Sequence, residues 1–181
     1  MANEPPNTKM VGWYEPRQLL QTAVAVLTST IFGRHSDHRL IEALFDKSSS
    51  KPNSPANPIV ADYSEQRELW IDYVADVGDG WNSTYSVAYY LGKPTLDVMT
   101  AGKSTVPTAR GTVLIFGGDS VYPVASRRTY RLRTIDPYEW ALTRPGLAHP
   151  DLYAIPGNHD WYDSLESFTR LFIAKPNIAG C

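Results

Sequence analysis

Three observations predict a mixed α/β fold built on a parallel βαβαβ sheet. Three apolar runs, Leu69 to Ala75, Thr112 to Phe116 and Leu152 to Ile155, read as strands. Each ends in a glycine-bearing turn that delivers an oxygen donor: Asp76 in Asp76-Val77-Gly78, Asp119 in Gly117-Gly118-Asp119, and Asn158 in Pro156-Gly157-Asn158-His159-Asp160. Helical sequence follows each of them. Parallel neighbours need a crossover, so three strand-helix units bring Asp76, Asp119 and Asn158 to one edge of the sheet. That carboxyl edge is where open α/β sheets bind their ligands.

The chain has 181 residues, 43% of them hydrophobic and 20% charged, with a formal net charge of -2. A domain of this size buries roughly 70% of its unfolded surface, which is enough for a real core. The charge leaves no polybasic footprint, so bulk nucleic-acid binding is not expected. The single cysteine, Cys181, permits neither an internal disulfide nor a thiolate zinc site within one chain, which fits a reducing compartment. The first residues lack the basic start, apolar core and cleavage site of a secretory signal, and a cytoplasmic protein is expected.

Taken in order, residues 1–15 read as a mobile arm. Residues 16–45 read as a helical extension. Pro16 opens a helix in which Leu19, Leu20, Ala23, Val24, Leu27, Thr30 and Ile31 recur at helical spacing up to Gly33. Its apolar part is shorter than the roughly 20 residues a membrane span needs. It is expected to pack on the domain, with an interfacial membrane contact or a partner as the alternative. Asp37 is placed to cap a second helix carrying Leu40, Ile41, Leu44 and Phe45; His35 and His38 beside it have no carboxylate or thiol company and read as surface residues. Residues 46–58, DKSSSKPNSPANP, offer little to bury and read as a linker.

The domain proper is expected over 59–181. After the first strand, Ser83 caps a helix closed by Gly92. Lys93 to Arg110 has no regular assignment. Thr112 to Phe116, TVLIF, is the continuous apolar run of a strand covered on both faces. Helical sequence starts near Ser126, breaks at Asp136-Pro137 and resumes through Trp140. The third strand is followed by a helix from about Tyr162 to Ile173.

Carboxylates gathered on one edge without a lysine among them repel one another, and a divalent or trivalent cation relieves that. Two cations sharing a bridging carboxylate clamp phosphoryl oxygens and generate hydroxide near neutral pH. The residues also carry a resemblance. Asp76-Val77-Gly78, Gly118-Asp119-Ser120-Val121-Tyr122 and Gly157-Asn158-His159-Asp160 resemble the first three of the five motif blocks of calcineurin-like metallophosphoesterases, and are most similar to the purple acid phosphatase variant with DxG, GDxxY and GNH(D/E). The match covers about Leu69 to Ile173.

The resemblance implies that Asp76 binds a first metal, Asp119 bridges two, Tyr122 is a phenolate on the first, and Asn158 binds the second. It implies two metal ions, iron with zinc, manganese or a second iron. His159 resembles the histidine that contacts the phosphate or protonates the leaving group, and Asp160 is expected to orient that imidazole. Tyr122 as a plain core aromatic is the alternative. The common branch of the superfamily has a histidine where Gly78 stands and an aspartate where Tyr122 stands. The last two blocks, which supply three histidine ligands, have no counterpart before Cys181, and His149 lies before the third block.

The expected fold is therefore the N-terminal half of a metallophosphoesterase sandwich. The expected function is hydrolysis of a phosphate ester by metal-bound hydroxide, with a C-terminal half or a second chain supplying the missing ligands. The rivals are a non-catalytic truncated fragment or scaffold with a vestigial metal site, and a plain α/β binding domain.

Overall fold

The protein is described here from a computed structural model, which defines residues 8–33, 62–143, 148–174 and 178. The expected second helix with His35 and His38, the linker at 46–58 and Cys181 lie outside the described residues.

Three parallel strands form the central sheet: β1 (Ile71–Val74), then, after helix α2 (Trp81–Leu91) and a hairpin of β2 (Thr95–Met99) and β3 (Thr105–Ala109), β4 (Val113–Phe116), and finally β5 (Asp151–Ala154). Helix α1 (Pro16–Gly33) precedes them all. Strand β4 is central, with β1 and β5 on either side and Tyr73, Ile115 and Tyr153 in one row of the register. The central position explains why Val113, Leu114 and Phe116 are buried and Ile115 half-buried, since neighbours flank β4 on both edges.

Side chains alternate across a strand, so the row Val74, Phe116, Ala154 faces one way and the row Tyr73, Ile115, Tyr153 the other. The first face is the core. Val74, Leu114 and Phe116 pack there with Ala88 of α2 and with Tyr138, Ala141 and Leu142 of a later helix. A second cluster of Val121, Ala125, Tyr130, Leu165 and Phe168 adjoins it through Ala154, Leu171 and Phe172. The opposite face stays open among the described residues: Tyr73 is 63% exposed and Ile155 58%. The third strand, an apolar run that reads as buried, is only partly covered: β5 alternates between exposed and half-buried residues.

Several other expectations need correction. Helix α2 starts at Trp81 with Gly80 as its N-cap; Ser83 lies inside the first turn and its hydroxyl donates back to the Gly80 carbonyl. The unassigned stretch from Lys93 is the antiparallel β2–β3 hairpin, closed by a turn in which the Thr100 N–H reaches the Ser104 carbonyl. Pro107 concealed it, because proline is admitted only on strands with a free edge, which a two-stranded ribbon provides.

The helix after β4 does not break at Asp136-Pro137. Ser126 caps α3 (Arg127–Tyr130) by accepting the Thr129 N–H, and the chain then runs through a π-helical turn (Arg131–Ile135) straight into α4 (Asp136–Leu142). In that wide turn the Asp136 N–H reaches back to the Arg131 carbonyl, so Pro137 arrives at the start of a new helical register where no N–H is required. After β5 the helix does not start at Tyr162. A 3₁₀ turn (Asp160–Asp163) comes first, Ser164 and Leu165 adopt left-handed backbone, and only then do α5 (Glu166–Thr169) and a final π-helical turn (Arg170–Ala174) form.

Two corrections concern the N-terminus. Thr8 to Glu15 is no free arm: the Val11 N–H bonds the Asp79 carbonyl, the Trp81 N–H bonds the Thr8 carbonyl, and Val11 is buried. Helix α1 spans the predicted residues, but its apolar positions do not pack on the domain. Leu20 and Leu27 are 66% and 61% exposed, and Val24 and Ile31 lie on the same open stripe. The partly covered stripe is instead the one carrying Gln18, Thr22, Ala25 and Ser29. Among the described residues no helix is long and apolar enough to cross a membrane.

Candidate metal centre

The three strand tips meet as the parallel register requires, since Val74, Phe116 and Ala154 end level with one another. Asp76, Asp119 and Asn158 follow them by two, three and four residues. Asp76 and Asp119 both have positive φ, 56° and 49°, a left-handed conformation that aspartate tolerates better than most residues. This turns the chain sharply off each strand, and the Asp76 N–H closes the two turns together on the Gly118 carbonyl.

Tyr122 joins the two carboxylates. Its hydroxyl lies 3.0 Å from Asp76 Oδ1 and 3.4 Å from Asp119 Oδ2. The phenol is held well above its ordinary pKa, first by burial and then by its hydrogen bond to Asp76 and the charge of Asp119. A phenolate at this point therefore requires a cation between the three oxygens. All three donors are oxygen, the set that suits hard cations.

Two glycines allow this approach. Gly78 has φ +88°, and a Cβ there would stand 2.3 Å from the Ser120 carbonyl oxygen. No side chain fits at a position where the common branch of the resembled superfamily carries histidine. Gly157 is equally constrained, since its Cβ would fall 2.2 Å from Asp119 Oδ1. Glycine here brings the third loop's backbone onto the Asp119 carboxylate, and the His159 N–H then donates to the same Oδ1 at 2.9 Å.

Asn158 lies between those two backbone contacts, with its amide donating to the Tyr162 hydroxyl at 3.2 Å. The His159 ring is fixed by Nδ1, 2.7 Å from the Pro123 carbonyl oxygen. A carbonyl only accepts, so Nδ1 carries the hydrogen and Nε2 is the acceptor nitrogen of the neutral ring. Among the described residues Nε2 has no hydrogen-bond partner.

Asp160 does not orient that imidazole, as the sequence reading expected. Its carboxyl group is fully buried and accepts from the Gly157 N–H at 2.8 Å, the Ser120 N–H at 3.4 Å and the Tyr130 hydroxyl. Burial raises its pKa, against the lowering effect of those bonds. Asp160 is thus a brace tying the second and third loops to α3, and the Pro123 carbonyl holds the histidine.

The expected residues Asp76, Asp119, Tyr122 and His159 come together, with Asn158 alongside and Asp160 beneath. Among the described residues no three His, Cys, Asp or Glu side chains form a cluster able to hold a metal; the constellation is two aspartates and a phenol. His149 lies beside Pro150, at the opposite end of β5.

Sequence reasoning missed Trp13 and Arg133. The Trp13 ring stands edge-on to Tyr122 at 5.5 Å between centroids and to His159 at 6.0 Å. Arg133 Nη1 donates to the Asp79 carbonyl at 2.6 Å and the Tyr122 carbonyl at 3.1 Å, while Nη2 reaches the Lys9 carbonyl at 3.3 Å. Nothing in the spacing around Trp13 signals this, and Arg133 is one of four arginines between 127 and 133 with nothing in the sequence to single it out. No family model, curated protein or solved structure matches the chain.

Proposed function

We infer that this chain contributes the oxygen-donor half of a binuclear metal centre that hydrolyses phosphate esters. The observation that carries this reading is the Tyr122 hydroxyl within hydrogen-bond distance of both Asp76 and Asp119, at the carboxyl edge of a parallel sheet. Asp76, Asp119 and Tyr122 would hold one cation, and by resemblance Asp119 and Asn158 would hold a second. By resemblance the pair is iron with zinc, manganese or a second iron. Bound there, such ions supply Lewis acidity and a nucleophile drawn from water near neutral pH.

The chain's own residues do the rest. His159, with Nδ1–H held by Pro123, offers Nε2 as the nitrogen that takes or gives a proton at the leaving group. The glycines at 78 and 157 keep side chains out of the space between the loops. The imidazole ligands that favour iron and zinc would come from a C-terminal half or a second chain, so the 181 residues are expected to hold metal weakly and to have no turnover of their own.

A vestigial, non-catalytic site is the second reading, favoured by the lack of any three-residue His/Cys/Asp/Glu cluster among the described residues. Metal analysis combined with hydrolysis of an aryl phosphate separates the two. The proposal expects metal binding that Asp119→Asn abolishes, and turnover once the chain is completed with imidazole ligands. Asp119-dependent metal without turnover in the completed protein leaves the scaffold. Robust turnover by the 181-residue chain, abolished by His159→Ala, contradicts the claim that it is only half a site.

A further inference from the structure

We propose that Trp13, brought to the metal edge by the N-terminal segment, is a specificity-determining wall that selects phosphoesters whose leaving group carries a flat aromatic or heteroaromatic ring. This rests on the phosphoesterase reading above and adds to it the class of substrate. Residues 8–15 are fixed against the first loop by main-chain bonds from Val11 to Asp79 and from Trp81 to Thr8. Arg133 ties the same segment down, since one guanidinium binds the carbonyls of Lys9, Asp79 and Tyr122. The segment, the first loop and the tyrosine-bearing loop thus share one half-buried cation. Gly80 completes the seam, for a Cβ there would press on Met10 at 2.8 Å.

What this anchoring positions is an indole ring against both chemical elements of the site. Trp13 lies beside Tyr122, whose hydroxyl bonds the two carboxylates, and beside His159, the assigned proton donor. It keeps 37% of its surface exposed at that mouth. Tyr14 next to it is 96% exposed, and Trp161, two residues past His159, is 40% exposed. Tyr162 also meets the imidazole edge-on, 4.8 Å between ring centroids. An indole left partly in water beside a polar centre fits a ligand with a phosphate at one end and an aromatic ring at the other. In the imidazolium form Nε2 carries a second proton, and that proton passes to the leaving-group oxygen as the P–O bond breaks, so the ring attached to that oxygen is the part of the substrate that meets Trp13.

The test uses two non-hydrolysable probes, phenylphosphonate and methylphosphonate, titrated calorimetrically onto the manganese(II)-loaded 181-residue chain, with metal occupancy read from the free-ion paramagnetic resonance signal. Wild type should bind phenylphosphonate about tenfold more tightly than methylphosphonate, the size of one aromatic contact. Trp13→Ala should bring that ratio close to one and leave methylphosphonate affinity and manganese occupancy unchanged, and Trp13→Phe should restore most of it. A ratio unaffected by Trp13→Ala overturns the proposal. So does an equal loss of both phosphonates and of manganese, which marks Trp13 as packing only. Manganese occupancy indifferent to Asp119→Asn overturns the phosphoesterase reading itself, and this proposal with it.

Discussion

Adjacent residues on the same strands meet opposite surroundings. Val74 and Phe116 lie under helices α2 and α4, whereas Tyr73, one residue from Val74, and Ile155, next to Ala154, face solvent. The difference lies in what covers each face: the crossovers supply helices to one side only, and the other keeps an apolar row typical of a surface meant to be covered. The same contrast holds at the N-terminus. Thr8 to Glu15 is anchored at the carboxyl edge of the sheet, while α1, which continues it, turns Leu20, Val24, Leu27 and Ile31 outward. The loops at the carboxyl edge are tied together by hydrogen bonds, whereas the open face and α1 leave apolar side chains exposed among the described residues.

Mutations on the two faces should separate accordingly, and the largest effect belongs to the covered one. Phe116→Ala removes a ring in contact with Tyr138 and Phe172 and should cost about 3–5 kcal/mol in urea unfolding. Tyr73→Thr or Ile155→Thr should cost under about 1 kcal/mol and reduce self-association in sedimentation experiments. Equal losses on the two faces would mean that the open face is covered in solution.

The next effect concerns the loops at the carboxyl edge of the sheet. Asp160→Ala leaves the Gly157 and Ser120 N–H groups and the Tyr130 hydroxyl without their acceptor, and should cost about 3 kcal/mol. Asp160→Asn keeps one acceptor oxygen for the amides and should cost well under half of that. If the asparagine variant unfolds as easily as the alanine variant, the negative charge and not the bonding of Asp160 holds the loops.

The smallest effect is a gain. The Tyr138 hydroxyl is buried in the core with no partner among the described residues. Tyr138→Phe removes that unpaired group without changing the ring, and should be neutral or stabilise by about 1 kcal/mol in the same unfolding assay.

How much of this was legible in the sequence follows the kind of signal each part carries. The strand tips were legible because apolar runs that stop at glycine and an oxygen donor state both the element and its end, so Asp76, Asp119 and Asn158 could be named together, while Tyr122 was named only through the resemblance of its motif. The β2–β3 hairpin was not, since Pro107 and the mixed run from Thr95 to Met99 suit a free ribbon better than a sheet core. Asp160 was assigned to the imidazole by adjacency, but the His159 backbone faces Asp119 and its ring faces Pro123, leaving the next side chain to point inward. The Trp13 contact spans more than a hundred residues of chain, and no local pattern encodes a meeting at that separation. The outward stripe of α1 was visible as helical periodicity, yet periodicity names an apolar stripe without saying which way it turns.

The central claim is that Asp76, Asp119 and Tyr122 hold one cation, and titration with terbium(III) tests it most directly. A hard trivalent ion in that oxygen set lies beside Tyr122 and one ring away from Trp13, so its luminescence should be sensitised on excitation of the aromatic rings. The account predicts saturable sensitised emission, abolished by Asp119→Asn and strongly weakened by Asp76→Asn. Emission unchanged in the Asp119→Asn variant would contradict it.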